Sequence, residues 1–199
     1  MLRVVLDANV LFPVVLRDVL LEFSVSGLLR TFWTSEILVE FSRALVRTSR
    51  HSEDSAAGLV SEMQAFFPSS FVDGYEHLTH SNMCADPKDE HVVGAAIHIK
   101  ADAIATFNLK DFPKDLFEYF GIRLSHPDNL LTDVFESNTG LTCQVLGTVV
   151  GNYDRSPTTA AELSARLIRS QTPRFGLRIL DFEDLIDGFA LQVRSSRSS

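Results

Sequence analysis

Four acidic residues stand out by type and placement: Asp7 in the run VVLDANVLF, Glu40 in ILVEFSRAL, and the close pair Asp86 and Asp89 in ADPKDEHVVGAA. Carboxylates brought within a few ångströms repel one another and raise each other's pKa, so folds seldom gather them without a cation. Hard oxygen donors of this kind suit Mg²⁺ or Mn²⁺, ions that keep several waters and commonly hold substrate phosphates. Phosphodiester hydrolysis is the natural chemistry of such a set. The cation polarises the phosphoryl oxygen, helps deprotonate a water and steadies the leaving oxygen, so no nucleophilic Ser or Cys is required. Each acid also has a bland reading: Asp7 caps a turn, Asp86 caps a helix, Glu40 is solvated, and Asp89 completes a capping box. The chemistry depends on whether the fold brings them together.

The elements around them are legible. RVVLDANVLF is a short run rich in Val and Leu that ends at Asp7, as expected of a buried parallel strand entering a loop. Phe12, Leu16, Val19, Leu20 and Phe23 follow helical spacing behind Pro13 and predict a helix that stops near Ser26 and Gly27. RTFWT predicts a second strand. Ser35 is the expected N-cap of a helix whose apolar face collects Ile37, Leu38, Phe41 and Leu45, with Glu40 off that face. A third helix is expected over Ala56 to Phe67, and SFVDGYE reads as a strand or loop. Asp86 as N-cap, Pro87 at the first position and Asp89 at the third predict a helix to about Ile99. Ala103 to Phe107 is a short strand ending at Asn108, followed by the loop LKDFP, a helix around Lys114 to Phe120, a strand IRLSH and a helix from Pro127. This alternation predicts an α/β domain with a mostly parallel central sheet flanked by helices, its functional groups beyond the strands' carboxyl ends. After Ser137 the strand pattern fades, Gly140, Gly147 and Gly151 punctuate the chain, and Thr159 with Glu162 forms a capping box. That predicts a helical C-terminal extension over residues 137–199 behind a domain of residues 1–136, with the tail VRSSRSS frayed.

In this order and spacing, VVLDANVLF, ILVEFSRAL, ADPKDEHVVGAA and ADAIATFNLKDF resemble the motifs of the PIN-domain nucleases over roughly residues 2 to 136. The similarity is greatest to the branch that contains the VapC-type ribonuclease toxins of type II toxin-antitoxin pairs. The resemblance implies a three-layer PIN-like fold and a divalent-metal-dependent endoribonuclease. Such an enzyme cuts single-stranded RNA with a metal-activated water and leaves a 5′-phosphate and a 3′-hydroxyl. Carried onto this sequence, Asp7, Glu40, Asp86 and Asp89 are the catalytic and metal-holding carboxylates, and Mg²⁺ or Mn²⁺ is the cofactor. Many relatives carry an Asp two residues after the Thr of the fourth motif, where this chain has Asn108. Asn108 can still offer an amide oxygen, and Asp111 can restore a charge from the loop. Asn9 and Thr106 are implied as hydrogen-bond partners that orient the carboxylates. The resemblance further implies a small antitoxin that covers the acidic cleft, and a homodimer.

Net charge is −8, from 18 Lys and Arg against 26 Asp and Glu, which opposes sequence-independent binding to a polyanion over the whole surface. RNA contacts must be local. Arg43, Arg47 and Arg50 follow Glu40 at helical spacing, and Arg166 and Arg169 belong to a stretch from Arg155 to Arg178 with five arginines against Glu162. These five named arginines are the candidate RNA contacts, with a solvated helix edge as the alternative for each group. Cys84 and Cys143 form no C-x-x-C element, which excludes a disulfide framework and fits a cytoplasmic location. MLRVVLDANVLF does not read as a secretory leader, and the longest stretch free of formal charge, Ser137 to Tyr153, is too short and too polar to span a bilayer comfortably, so no membrane is expected. No G-x-G-x-x-G, G-x-x-x-x-G-K or G-x-S-x-G element supports dinucleotide, P-loop or serine-hydrolase chemistry. Two rivals stand beside the nuclease. A catalytically weak PIN-fold regulator that binds RNA or protein is motivated by Asn108. A phosphatase with a strand-end Asp nucleophile is disfavoured because Asn9 stands where the second Asp is needed.

Overall fold

The computed structural model describes residues 1–48, 51–79, 84, 86–112 and 119–197. Four short strands, β1 (Leu2–Leu6), β2 (Leu29–Phe32), β3 (Ala103–Ala105) and β4 (Arg123–Ser125), form one parallel sheet in the order β2-β1-β3-β4. Val4, Val5, Leu6, Ala103, Ile104 and Ala105 are all fully buried, as central parallel strands covered on both faces require. Register pairs Leu6 with Ala105 and Ala105 with Ser125, so Asp7 and Thr106 leave adjacent strands side by side at their carboxyl ends. The Asp7 N–H extends the ladder by donating to the Ala105 carbonyl at 3.1 Å.

By contact the chain forms two compact units that interleave in sequence: Met1–Phe12 with Leu29–His126, and Pro13–Leu28 with Pro127–Ser199. This grouping differs from a division at residue 136, because the helix after β1 keeps its contacts with the C-terminal helices. The first unit holds the sheet with α1 (Ala8–Leu11), α3 (Ser35–Arg47), α4 (Glu53–Phe66) and α5 (Glu90–His98). Helix α5 packs on β1 and β3, and α3 packs on α1 and α4. Ile37, Leu38, Phe41 and Leu45 are the buried face of α3, with Glu40 on its margin.

Two caps differ from expectation in ways that matter for the site. Thr34, not Ser35, caps α3: its hydroxyl accepts from the Ile37 N–H at 3.2 Å, and Ser35 is the first helical residue. Asp86 accepts from the Lys88 N–H at 3.0 Å and caps a 3₁₀ turn over Pro87–Asp89, after which α5 begins at Glu90. Asp89 therefore makes no capping-box bond, and its carboxylate is left for other work. SFVDGYE supplies an isolated bridge, Phe71 to Trp33, and no strand. Most of the helix expected around Lys114 to Phe120 lies outside the described residues.

The second unit is all helix: α2 (Val14–Val25), α6 (Pro127–Ser137), α7 (Thr139–Asn152), α8 (Ala160–Arg169), α9 (Pro173–Leu180) and α10 (Glu183–Arg197). Phe175 lies edge-on to both Phe23 and Phe135 in its core. Buried Asp128 accepts from the Arg174 and Phe175 N–H groups and so caps α9 from another helix. The Thr159 cap of α8 is present, but Glu162 reaches back to the Thr158 N–H instead of completing a reciprocal box. Gly147 and Gly151 are not punctuation. They face α10 inside α7, where an added Cβ would stand 2.3 Å from Phe189 Cβ and 2.7 Å from Val193 Cβ. The polar run 193–197, expected to fray, continues α10, because Arg194 donates to the Val150 and Thr158 carbonyls and Arg197 to those of Gly151 and Asn152. These arginines satisfy carbonyls at the end of α7 and, at Thr158, in the loop before α8. No helix among the described residues is long and apolar enough to cross a membrane.

Candidate active site

Asp7 is the anchor. It is 5% exposed, and one oxygen, Oδ2, accepts from the Asn9 amide at 2.6 Å and from the Thr106 hydroxyl at 2.6 Å. Thr106, fully buried at the end of β3, has its proton committed to Asp7. Its own oxygen accepts from the Asn9 amide at 3.2 Å and the Asn108 N–H at 3.0 Å. The Asn9 carbonyl oxygen accepts from the Phe107 N–H at 3.2 Å, so the Asn9 side chain ties the loop after β1 to the loop after β3. Every polar group in this knot has a partner, which fixes the Asp7 rotamer. Burial pushes the Asp7 carboxyl above its ordinary value, against the hydrogen bond from Thr106 and the main chain at Asn9 and Ala8.

Glu40 and Asp89 face the same region from α3 and from the turn before α5. Burial, then the charges of Asp7 and Asp89, push Glu40 up to about 7. Burial, then Asp7, Asp86 and Asp111, push Asp89 up to about 6. Lys88 and Arg43 offset part of this but do not balance it. Asp86, Asp89 and Asp111 are thus electrical neighbours on one side and Asp7, Glu40 and Asp89 on the other, with Asp89 common to both. Among the described residues, no three His, Cys, Asp or Glu side chains converge into a ready cation cage. Asn108 is exposed and takes part through its backbone N–H, and Asp111 closes the following 3₁₀ turn by donating its N–H to the Asn108 carbonyl at 3.1 Å.

The raised carboxyls have a consequence for stability. A folded-state pKa above the unfolded one means that folding takes up a proton. The stabilisation is present below the unfolded value and is lost as pH climbs through the folded one. For Glu40 that window runs from about 4.5 to about 7. Half-buried His91 is shifted down by burial and acts with the opposite sign, so the test must isolate Glu40. In EDTA, Glu40→Gln is expected to melt with wild type near pH 5 and above it at pH 8, the gap widening steadily between. A gap independent of pH would show that Glu40 is not under this charge pressure.

Two partners of the site carry no motif signal. His91, on the first turn of α5, lies with Nε2 4.0 Å from Glu40 Oε2. Glu36, one turn before Glu40, is held by the hydroxyls of buried Tyr75 and of Ser35. Burial raises Glu36, but those hydroxyls outweigh it and its carboxyl rests below the usual range. The signal that could have found His91 is its place two residues after Asp89, on the same first turn. Of the arginine candidates, Arg43 and Arg47 line a groove of about 350 Å³ with Ser42, Val46 and Glu53, one and two turns beyond Glu40. Arg50 lies outside the described residues. Arg166 and Arg169 occupy the last turn of α8 in the second unit, where Arg174 and Arg178 already pair with Asn129 and Asp181.

The comparisons with known proteins fall on this part of the chain. A protein described as "Putative ribonuclease VapC50", from Mycobacterium tuberculosis (strain ATCC 25618 / H37Rv), is 34% identical over 109 residues, 55% of this chain and 63% of its own length. The chain therefore spans just under two thirds of that relative. No solved structure matches. The PIN domain profile matches residues 3–110, more than half of the sequence, and includes Asp7, Asn9, Glu40, Asp86, Asp89, Thr106 and Asn108. With the four-stranded parallel sheet and the Asp7 knot at its carboxyl edge, this match establishes that the chain belongs to the PIN-domain family.

Proposed function

We propose that the protein is a divalent-metal-dependent endoribonuclease that cuts single-stranded RNA and serves as the toxin of a type II toxin-antitoxin pair. The observation that carries this reading is the excess of negative charge around Asp7, Glu40 and Asp89 in a chain similar to a described VapC ribonuclease. The donor chemistry fits a hard divalent cation: carboxylate oxygens from Asp7, Glu40, Asp86 and Asp89, an amide oxygen from Asn108 and a further carboxylate from Asp111. Mg²⁺ or Mn²⁺ held there supplies Lewis-acid activation of a phosphodiester and of water. The chain's own part is positioning. Asn9 and Thr106 hold Asp7 Oδ2, so that the Asp7 carboxylate needs no reorganisation when substrate arrives. The Arg43 and Arg47 groove offers phosphates a positive track beside an otherwise repulsive site, and Arg166 and Arg169 are further candidates. A small antitoxin with a basic side chain suits the same acidic cleft, and a homodimer is part of this reading, as is a cytoplasmic location.

A mixed single-stranded RNA pool incubated with Mg²⁺, Mn²⁺ or EDTA tests the proposal. Cutting is expected with either ion and not with EDTA, and Asp86→Asn is expected to be slower by on the order of 10-fold, because exposed Asp86 already gives one oxygen to the Lys88 N–H. Cleavage that persists in EDTA would overturn it. The exposed, uncharged Asn108 is the observation that favours a second reading, a catalytically weak PIN-fold regulator. Intact RNA under every condition, with tight RNA or protein binding, would select that reading.

A further inference from the structure

Just past the ends of β3 and β4, two rings stand against each other at the sheet's carboxyl edge. Phe107 and His126 meet edge-on, with centroids 5.2 Å apart and planes at 69°. Both are only half-buried, unlike Phe23 and Phe175, an edge-on pair of the helical core in which each ring is fully enclosed. The backbone beneath the two rings is fixed. The Phe107 N–H donates to the Asn9 side chain at 3.2 Å, the Asn108 N–H to the Thr106 hydroxyl at 3.0 Å and the Thr106 N–H to the Ser125 carbonyl at 3.1 Å. His126 precedes Pro127, and the residue before a proline is confined to extended conformations. Asn9, which also donates to Asp7, thus ties the Phe107 main chain to the acidic site, so the aromatic face and the carboxylate are held in one fixed relation.

We propose that the Phe107–His126 face is a base-stacking subsite for single-stranded RNA, taking a nucleobase close to the phosphate that meets the acidic site. This deepens the RNA reading above and rests on it. Sheet order sets the parts in line: α3, with Arg43 and Arg47, follows β2 on one side of β1, and the two rings follow β3 and β4 on the other. A chain laid across this edge meets the cations, then Asp7, then the aromatic face. Neighbouring strands lie about 4.8 Å apart, so the base concerned belongs to a nucleotide near the one at Asp7. A net charge of −8 works against phosphate contacts, whereas a π face attracts a base without needing any charge. Bases in a duplex are already stacked on their neighbours and are not free to use such a face, so it selects single strands while tolerating sequence.

The test measures binding of the full chain, in Ca²⁺, to a short oligouridylate and to an abasic ribose-phosphate chain of the same length and charge. Wild type is expected to prefer the oligouridylate by on the order of 10-fold, the scale of stacking one base. In Phe107→Leu, which keeps an apolar group of similar bulk but no π face, the preference is expected to shrink below about twofold. Affinity for the abasic chain stays as in wild type, which shows that the variant is folded. Phe107→Trp, with a larger π face, is expected to keep the preference. Equal wild-type affinity for the two chains, the same preference in Phe107→Leu, or an equal loss on both chains in that variant would overturn the assignment and leave the ring pair a packing contact. If the preference behaves as expected while the RNA pool stays uncut with Mg²⁺ or Mn²⁺, the subsite stands and the nuclease reading fails. If wild type binds neither chain, both fail together.

Discussion

Asp7→Asn is expected to lower metal-dependent RNA cleavage by on the order of 10³-fold, the scale on which loss of one preorganised charge-stabilising group acts. The same variant is expected to melt at least as high as wild type at pH 8. The two outcomes have one cause. The Asp7 carboxylate is 5% exposed and is driven towards its neutral form by burial, so the folded state holds an anion there against a desolvation cost. Asparagine keeps an oxygen for the Thr106 hydroxyl and the Asn9 amide, fits the same volume and relieves the repulsion on Glu40 and Asp89. What it removes is the charge that the proposed cation would meet. Cleavage rates and thermal unfolding should be measured on the same preparations. Wild-type cleavage by a folded Asp7→Asn protein would remove Asp7 from the chemistry. A large loss of stability would instead mark the carboxylate as a structural group.

In the second unit the largest effect is expected at Gly147. An added Cβ would stand 2.3 Å from Phe189 Cβ, 2.9 Å from the Ile186 carbonyl oxygen and 3.2 Å from the Ala190 N–H nitrogen. None of these is the far end of a flexible side chain, so α10 as a whole must move away from α7. Gly147→Val adds two further methyl groups at that contact. It is expected to cost about 3 kcal/mol or more, the upper end of overpacking penalties. The roughly 1 kcal/mol of helix propensity recovered by losing a mid-helix glycine is too small to compensate. Gly140→Ala in the first turn of the same helix is the control. Nothing lies within 4 Å of its added Cβ, and it should be neutral or mildly stabilising. Urea unfolding of both variants checks the claim, and equal midpoints would show that α7 and α10 do not pack this closely.

The features that sequence alone determined are those governed by neighbours along the chain. The Val and Leu run before Asp7 demanded a buried strand, and Ile37, Leu38, Phe41 and Leu45 demanded one buried helical face. Because a parallel strand ends where its loop begins, Asp7 and Thr106 were bound to emerge at the sheet's carboxyl edge once both runs were strands. Together with the four motifs, that was enough to place the chain in the PIN family. Tertiary structure decided the rest, because those choices depend on groups distant in sequence. Thr34 outcompeted its neighbour Ser35 for the α3 cap. Asp89 was released from the expected capping box because α5 starts one turn later. Gly147 and Gly151 read as chain punctuation until α10 was seen lying against them, and Arg194 and Arg197 turned a polar tail into a helix by finding carbonyls more than 35 residues away. His91 is the sharpest case. Its ring meets Glu40 of α3, Nε2 lying 4.0 Å from Glu40 Oε2, a contact between two helices that no spacing along the chain announces. Periodicity records which side of an element is buried, whereas the partner met on that side is set by long-range packing.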